Sequence, residues 1–330
     1  MNWRPTATRA ALIRRAEMLQ LTRAFFKDRN VLEVETPILS AAAVSDPQIE
    51  SLSTQVAGQA GHNYLCPSPE YAMKRLLAAD SGDIYQICKV FRDAERGRWH
   101  NPEFTMIEWY RLGFDDTALM GEVETLVRAL LAPTRSLGPA EYLSYSAALQ
   151  RHAGVDAFSS SEQELREAAL RHEIVCDAEL DRDAKLDLLM GLIVGPRLGR
   201  ERPCFICDYP ASQAALARLR PPRTPLHTPP TSGPAKVAAR FELYLDGLEL
   251  ANGFHELAAP KELRSRFCQD LGVRRARGQV QPPLDEHLLA ALETGMPDCA
   301  GVALGFDRLV AIALGADRLA DAMAFTIDNA

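Results

Sequence analysis

Residues 86–111 read QICKVFRDAERGRWHNPEFTMIEWYR, two apolar runs flanking a polar loop dense in Arg, His and Asn. The β-branched and aromatic residues on both sides predict two strands of a hairpin. The loop gathers Arg92, Arg96, Arg98, His100 and Asn101, and the second strand carries Glu108 and Tyr110. A charge run in a loop is most often a solvated turn. Set between two apolar strands and beside carboxylates, this one reads as a cationic grip for polyphosphate.

Upstream, residues 8–29 predict a helix whose Leu12, Ala16, Leu19, Arg23 and Phe26 recur at three- and four-residue spacing. It runs into VLEVETPIL, which favours an extended chain, with Pro37 barring a helix. Further helices are expected at 115–131, at 160–171 behind a Ser N-cap, and at 181–193. Residues 220–235 hold six prolines among Thr, Ser and Gly, and predict an exposed loop rather than a helix or central strand. Residues 240–257, RFELYLDGLELANGFHEL, predict a strand that ends in a turn at Asn252 and Gly253, with Glu249 and Glu256 on either side. Two glutamates at a strand end suit a hard cation such as Mg²⁺. Residues 301–315, GVALGFDRLVAIALG, predict a glycine-bearing strand that a ligand can approach closely, then an apolar helix opened by Asp307 and Arg308. An Arg at a helix start faces the wrong end of the dipole, which favours a ligand role.

With 330 residues, 47% hydrophobic and 25% charged, the composition is that of a soluble globular protein. A net charge of -7 argues against a long phosphate-backbone contact, so nucleic acid is not the default partner. Neither a signal-type apolar core near the start nor a membrane-length apolar run occurs, and a cytoplasmic location is expected. Seven scattered cysteines read as reduced thiols, and the lone Cys204/Cys207 pair as neighbouring strand residues rather than a metal or redox site. The usual mononucleotide signatures, GxxxxGK[ST] and GxGxxG, are missing, so any ATP site must be built from a sheet and scattered side chains.

The hairpin, with Phe-Arg and then HNPEFTM, resembles motif 2 of class II aminoacyl-tRNA synthetases of the lysine branch; residues 8–38 resemble motif 1, and 301–315 motif 3. The resemblance implies an α+β fold, an antiparallel sheet flanked by helices, with residues 1–330 as one catalytic domain and motif 1 as the interface of a homodimer. It implies an ATP site at Arg92, Asp93, Ala94, His100, Asn101, Phe104, Glu249, Leu250, Gly305 and Arg308, with Arg92 and Arg308 as the catalytic cations. In it Arg92 holds the α-phosphate, His100 and Asn101 border the pyrophosphate, and Phe104 stacks on adenine. Mg²⁺ falls to Glu249 and Glu256. The family often has Glu where this chain has Ala94, which shifts adenine recognition to backbone groups or Glu95. CPSPEYAMKRLL supplies Ser68, Pro69 and Glu70, which with Glu108, Tyr110, Asn252, Glu256 and Ala303 line the amino-acid pocket. Several acceptors in an apolar pocket suit a diamino acid, because each desolvated ammonium needs a partner.

The lysyl enzymes carry an anticodon-binding barrel before motif 1, for which the residues ahead of position 8 leave no room. Ala303 stands where they have Gly, and Ala258 where they have Asn. Both departures resemble a stand-alone paralogue family, the elongation factor P β-lysine ligases, as do ELANGFHELA, GMPDCAGVALGFDRLV and DAMAFTIDNA. That resemblance implies adenylation of (R)-β-lysine by ATP and transfer to a lysine ε-amine of elongation factor P, with no tRNA and no membrane as partner. A truncated lysyl-tRNA synthetase-like enzyme and a non-catalytic amino-acid sensor remain the other readings.

Overall fold

The computed structural model of the protein describes residues 3–59, 61–223 and 236–330. From residue 224 onward the proline-rich segment lies outside the described residues. In chain order the first elements are α1 (Arg9–Lys27), β1 (Leu32–Glu33), β2 (Leu39–Ser40), β3 (Ser53–Thr54), β4 (Asn63–Leu65), α2 (Glu70–Ala78), β5 (Ile84–Phe91), β6 (Glu103–Leu112) and α3 (Asp116–Leu131). Next come β7 (Glu141–Ser144), α4 (Tyr145–Ala153), α5 (Glu162–Arg171), α6 (Arg182–Leu189), β8 (Cys204–Pro210), β9 (Leu219–Arg220), β10 (Val237–Leu245) and β11 (Leu248–His255). Last are α7 (Pro260–Ala276), α8 (Glu286–Thr294), β12 (Cys299–Gly305) and α9 (Phe306–Leu314). The class is α+β, as the motifs imply. Two compact units divide the chain.

The first unit comprises Met1–Phe114, Thr125–Arg135 and Leu257–Ala330. Its strands run β1, β5, β6, β12, with β1 parallel to β5 and the other two pairings antiparallel. A small antiparallel sheet, β2–β4–β3, lies apart from these. The predicted hairpin is present as β5 and β6, paired from Ile84↔Tyr110 to Phe91↔Glu103. Alternation sends Tyr85 and Trp109 to one face, where Phe26 of α1 stacks on Tyr85 at 4.3 Å and meets Trp109 edge-on at 5.4 Å. The opposite face is left to Gln86, Glu108, Tyr110 and Ala303.

Helix α1 forms where expected, with Thr8 as its N-cap, but its buried stripe lies about one residue away from the predicted one: Ala11, Arg14, Met18, Thr22 and Phe25–Phe26. Two polar members concealed that stripe. Arg14 donates to Leu130 O at 2.6 Å, and Thr22 donates back to Met18 O at 2.8 Å, so each is buried with at least one side-chain hydrogen bond made.

The second unit comprises Asp115–Glu124 and Ser136–Glu256. Its strand order is β11, β10, β8, β7, with β9 pairing β10; β7 and β8 are parallel, the rest antiparallel. Helices α4, α5 and α6 contribute Leu149, Leu165, Leu186 and Leu189 to a core shared with Ile206 and Tyr244. The predicted Ser cap is Ser161, which makes a capping box with Glu164. The helix expected at 181–193 is α6 followed by a π-turn, Met190–Val194. Cys204 and Cys207 are buried in β8, and burial pushes both thiols up to about 12, as fits inert core cysteines.

The turn at Asn252 and Gly253 is not where the chain reverses. Both residues lie inside β11, and the reversal is six residues earlier, at Asp246 and Gly247, with φ of 54° and 79°. Two consecutive left-handed residues of the Asp-Gly type make the tight hairpin whose twist matches paired strands. Gly253 serves packing instead: it faces Phe241 across the ladder, and a Cβ there would run into the Phe241 ring.

Candidate active site

On the face of β6 opposite Trp109, β6, the start of α2 and the residues just before it bring together four of the predicted pocket residues. Ser68 Oγ donates to Glu108 Oε2 at 2.8 Å and Tyr110 Oη to Glu108 Oε1 at 2.7 Å. Ser68 Oγ also accepts the Glu70 N–H at 3.0 Å, so Pro69 and the start of α2 are fixed against the same carboxylate. Glu108 is buried, and burial and the charge of Glu70 push it up to about 8, against the pull of the two hydroxyls and of Lys74. Ala303 pairs directly with Glu108 across the β6–β12 ladder, so its methyl points to the same face. Gly305 pairs with Met106 two positions along.

Lys74 was not among the predicted residues. Only 1% exposed, it gives its ammonium to Glu70 Oε1 at 2.6 Å. The signal was in the sequence, since Glu70 and Lys74 are four apart on an expected helix and flanked by apolar residues.

The loop between β5 and β6 arranges the cations. Arg92 lies over the Phe104 ring at 5.2 Å and approaches Glu95 Oε1 at 3.4 Å. Its N–H donates to Pro102 O, and Asp93 Oδ1 accepts the N–H of Ala94, which adopts a left-handed φ of 59°. Arg308, in the first turn of α9, reaches back to this loop: its Nη2 lies 2.7 Å from His100 Nε2 and its Nε donates to Trp99 O at 3.3 Å. Burial, then the guanidinium of Arg308, holds His100 below the usual histidine range, which leaves a neutral ring able to accept at Nε2. Asn101 is spent on backbone, donating to Glu103 O at 2.6 Å and accepting from the Ile327 N–H at 3.0 Å.

In the second unit the β10–β11 register skips Leu250: Leu243 pairs with Ala251 and Tyr244 with Glu249. The extra residue is a β-bulge, and it changes parity. Glu249 and Glu256 are seven apart and would otherwise point to opposite faces. With Leu250 bulged, Glu249 shares a face with Asn252 and Phe254, and continuing the alternation two residues past Phe254 brings Glu256 to the same face. Glu242 and Tyr244 stand on that face too, Tyr244 Oη donating to Glu242 at 2.7 Å. Arg240 ties them, donating to Glu242 at 2.6 Å and to Asn252 Oδ1 at 3.3 Å. Sequence reading missed this trio, although the i, i+2 spacing of Arg240, Glu242 and Tyr244 announces a common face. Among the described residues no group of three His, Cys, Asp or Glu side chains is arranged to hold a metal unaided. Two carboxylates completed by substrate phosphate is the donor set that Mg²⁺ takes, so Glu249 and Glu256 fit it.

A model of class II tRNA synthetases (D, K and N) matches residues 1–329. The chain belongs to this family. Class II membership implies use of ATP. A protein of Salmonella arizonae named elongation factor P–(R)-β-lysine ligase is 49% identical over 336 aligned residues, covering 100% of this chain and 98% of that protein. Proteins of the same name from Salmonella dublin and Salmonella paratyphi B are 48% identical over the same share of each chain. For a class II synthetase the geometry is serviceable: a carboxylate held by two hydroxyls beside a buried ion pair, and two guanidinium groups converging on one loop.

Proposed function

We propose that this class II chain is an AMP-forming ligase that activates (R)-β-lysine with ATP and transfers it to the ε-amine of a lysine on elongation factor P. The observation that carries this reading is 49% identity across the whole chain to a protein of that name. The residues support it. Glu108, fixed by Ser68 and Tyr110, offers a substrate ammonium a buried counter-charge, and Glu70, already engaged by Lys74, stands beside it. Ala303 places a methyl opposite Glu108, where it selects between amino-group positions.

In the first step a substrate carboxylate oxygen attacks the α-phosphorus and the bond to pyrophosphate breaks. Arg92 meets the charge gathering on the α-phosphate, and Arg308, steered by His100, meets the departing pyrophosphate. Asp93, Gly305 and the backbone at Ala94 complete the nucleotide site, with Phe104 packed beneath it. Glu249 and Glu256 are the carboxylates that would hold Mg²⁺, and a bound Mg²⁺ would supply neutralisation of phosphate charge. In the second step the neutral ε-amine attacks the acyl carbon, the bond to AMP breaks, and the amine gives up a proton. Orientation does most of this work, without a covalent enzyme intermediate. Residues 1–330 act as one catalytic domain in a cytoplasmic homodimer.

The test is the intact mass of elongation factor P after incubation with the enzyme, ATP and either lysine isomer. A gain of one lysyl unit, larger with the β-isomer, is expected. Charging of lysine tRNA at a comparable rate, or no adduct with active ATP–pyrophosphate exchange, would sink the acceptor assignment.

A further inference from the structure

Arg15 stands on α1, far in sequence from the phosphate grip and outside every predicted site residue. Its guanidinium bridges β6 and α9 and also reaches Ala322 O at 3.4 Å. Nη1 pairs with Asp307 Oδ1 at 2.5 Å, and Nη2 donates to Thr105 Oγ1 on β6 at 2.8 Å. The other oxygen of Asp307 accepts the Thr105 backbone N–H at 2.6 Å. One carboxylate, 1% exposed, is thereby held by a cation from α1 and an amide from β6. The guanidinium also lies 5.0 Å from the Phe306 ring, so the first residue of α9 is gripped as well.

Asp307 immediately precedes Arg308 in the first turn of α9. Anchoring Asp307 on both sides stops that turn from rotating or sliding, and Arg308 then projects to His100 and Trp99. Such an anchor is needed because the helix dipole disfavours a cation in the first turn, and Arg308 would drift outward if the turn were loose. We propose that Arg15 is a positioning residue for ATP activation: the Arg15–Asp307–Thr105 knot sets the orientation of the Arg308 guanidinium and so couples the seating of α1 to the nucleotide site. This rests on the assignment of Arg308 to ATP given above.

Removing the guanidinium leaves Asp307 buried without its counter-charge, which disturbs the turn carrying Arg308 and leaves the pocket around Glu108 and Ser68 alone. ATP–pyrophosphate exchange should be measured for wild type and for Arg15→Gln, Arg15→Lys, Asp307→Asn and Arg308→Ala, with ATP and β-lysine varied separately. Arg15→Gln should raise KM for ATP about tenfold or lower kcat to match, with KM for β-lysine within about twofold of wild type; the loss from a misplaced charge-stabilising donor is of that order or larger. Arg15→Lys should recover part of it, since an ammonium can pair with Asp307 but cannot also hold Thr105 in the same fork. The lysine variant keeps the test decisive if the glutamine variant folds poorly. Equal losses toward both substrates, or unchanged ATP kinetics in Arg15→Gln and Arg15→Lys, would overturn the proposal. Intact ATP kinetics in Arg308→Ala would instead sink the nucleotide assignment, and this inference with it.

Discussion

Glu108 is the residue whose environment says most. Its carboxyl is raised from 4.5 to about 8 because burial and Glu70 outweigh two donated hydrogen bonds and Lys74. A carboxyl with a raised folded pKa binds its proton more tightly in the native state, so its contribution to stability is fully present below about 4.5 and is lost as pH rises toward about 8. Glu108→Gln should therefore melt higher than wild type at pH 8.5 and no higher at pH 4, by calorimetry, while losing amino-acid activation. For the wild type, KM for β-lysine should fall as pH rises from about 6.5 to about 8.5, because the ionised carboxylate is the form that pairs with an ammonium; a flat profile would remove Glu108 from the pocket. Ala303 belongs to the same scale. If its methyl fills the volume an α-amino group needs, α-lysine binds against overpacking of about 1–3 kcal/mol. Ala303→Gly should then raise kcat/KM for α-lysine over that for β-lysine by about 10- to 200-fold. An unchanged ratio of the two specificity constants would move selection to Glu70 or Ala258.

Among the elements, the β10–β11 hairpin decides the most with the least. The Asp246–Gly247 turn sets its register, and the bulge at Leu250 then decides which side chains face the same way. Packing at Gly253 holds that register, since the Phe241 ring occupies the space a side chain would need. Phe241 is fully buried in β10, so the ring has packed neighbours on its other sides. Gly253→Ala should cost about 1–3 kcal/mol by overpacking, read as a lower urea midpoint with an unchanged slope. A midpoint equal to wild type would mean that the ring relaxes without cost.

At the scale of the whole molecule, Ile13 and Leu21 on α1 and Leu32 on β1 remain exposed at 44%, 41% and 56%. Exposed apolar residues on the segment resembling motif 1 support the proposed homodimer. Sedimentation should give a dimer for wild type, and Leu32→Glu with Leu21→Glu should shift it toward monomer; a wild-type monomer at micromolar concentration would end that assignment. The absence of a membrane-length apolar helix among the described residues agrees with the low overall hydropathy.

Much of this protein was legible before folding. The hairpin 86–111, the helices at 8–29 and 115–131, the Ser N-cap of the helix at 160–171 and the glycine-bearing strand leading into α9 all follow from local periodicity, caps and turn chemistry, which neighbours in sequence determine. The grouping of Ser68, Glu70, Glu108 and Tyr110 also followed, once the motifs were recognised. What sequence could not assign were relations across long separations. Burial of Arg14 depends on a carbonyl 116 residues away, and the Arg15–Asp307 pair spans 292 residues. No periodicity encodes such a partner, so a charged residue on the inner stripe reads as solvent-facing until the partner is seen. The common face of Glu249 and Glu256 was hidden for a related reason. Strand parity is a count of residues, and only pairing with β10 reveals that Leu250 does not count.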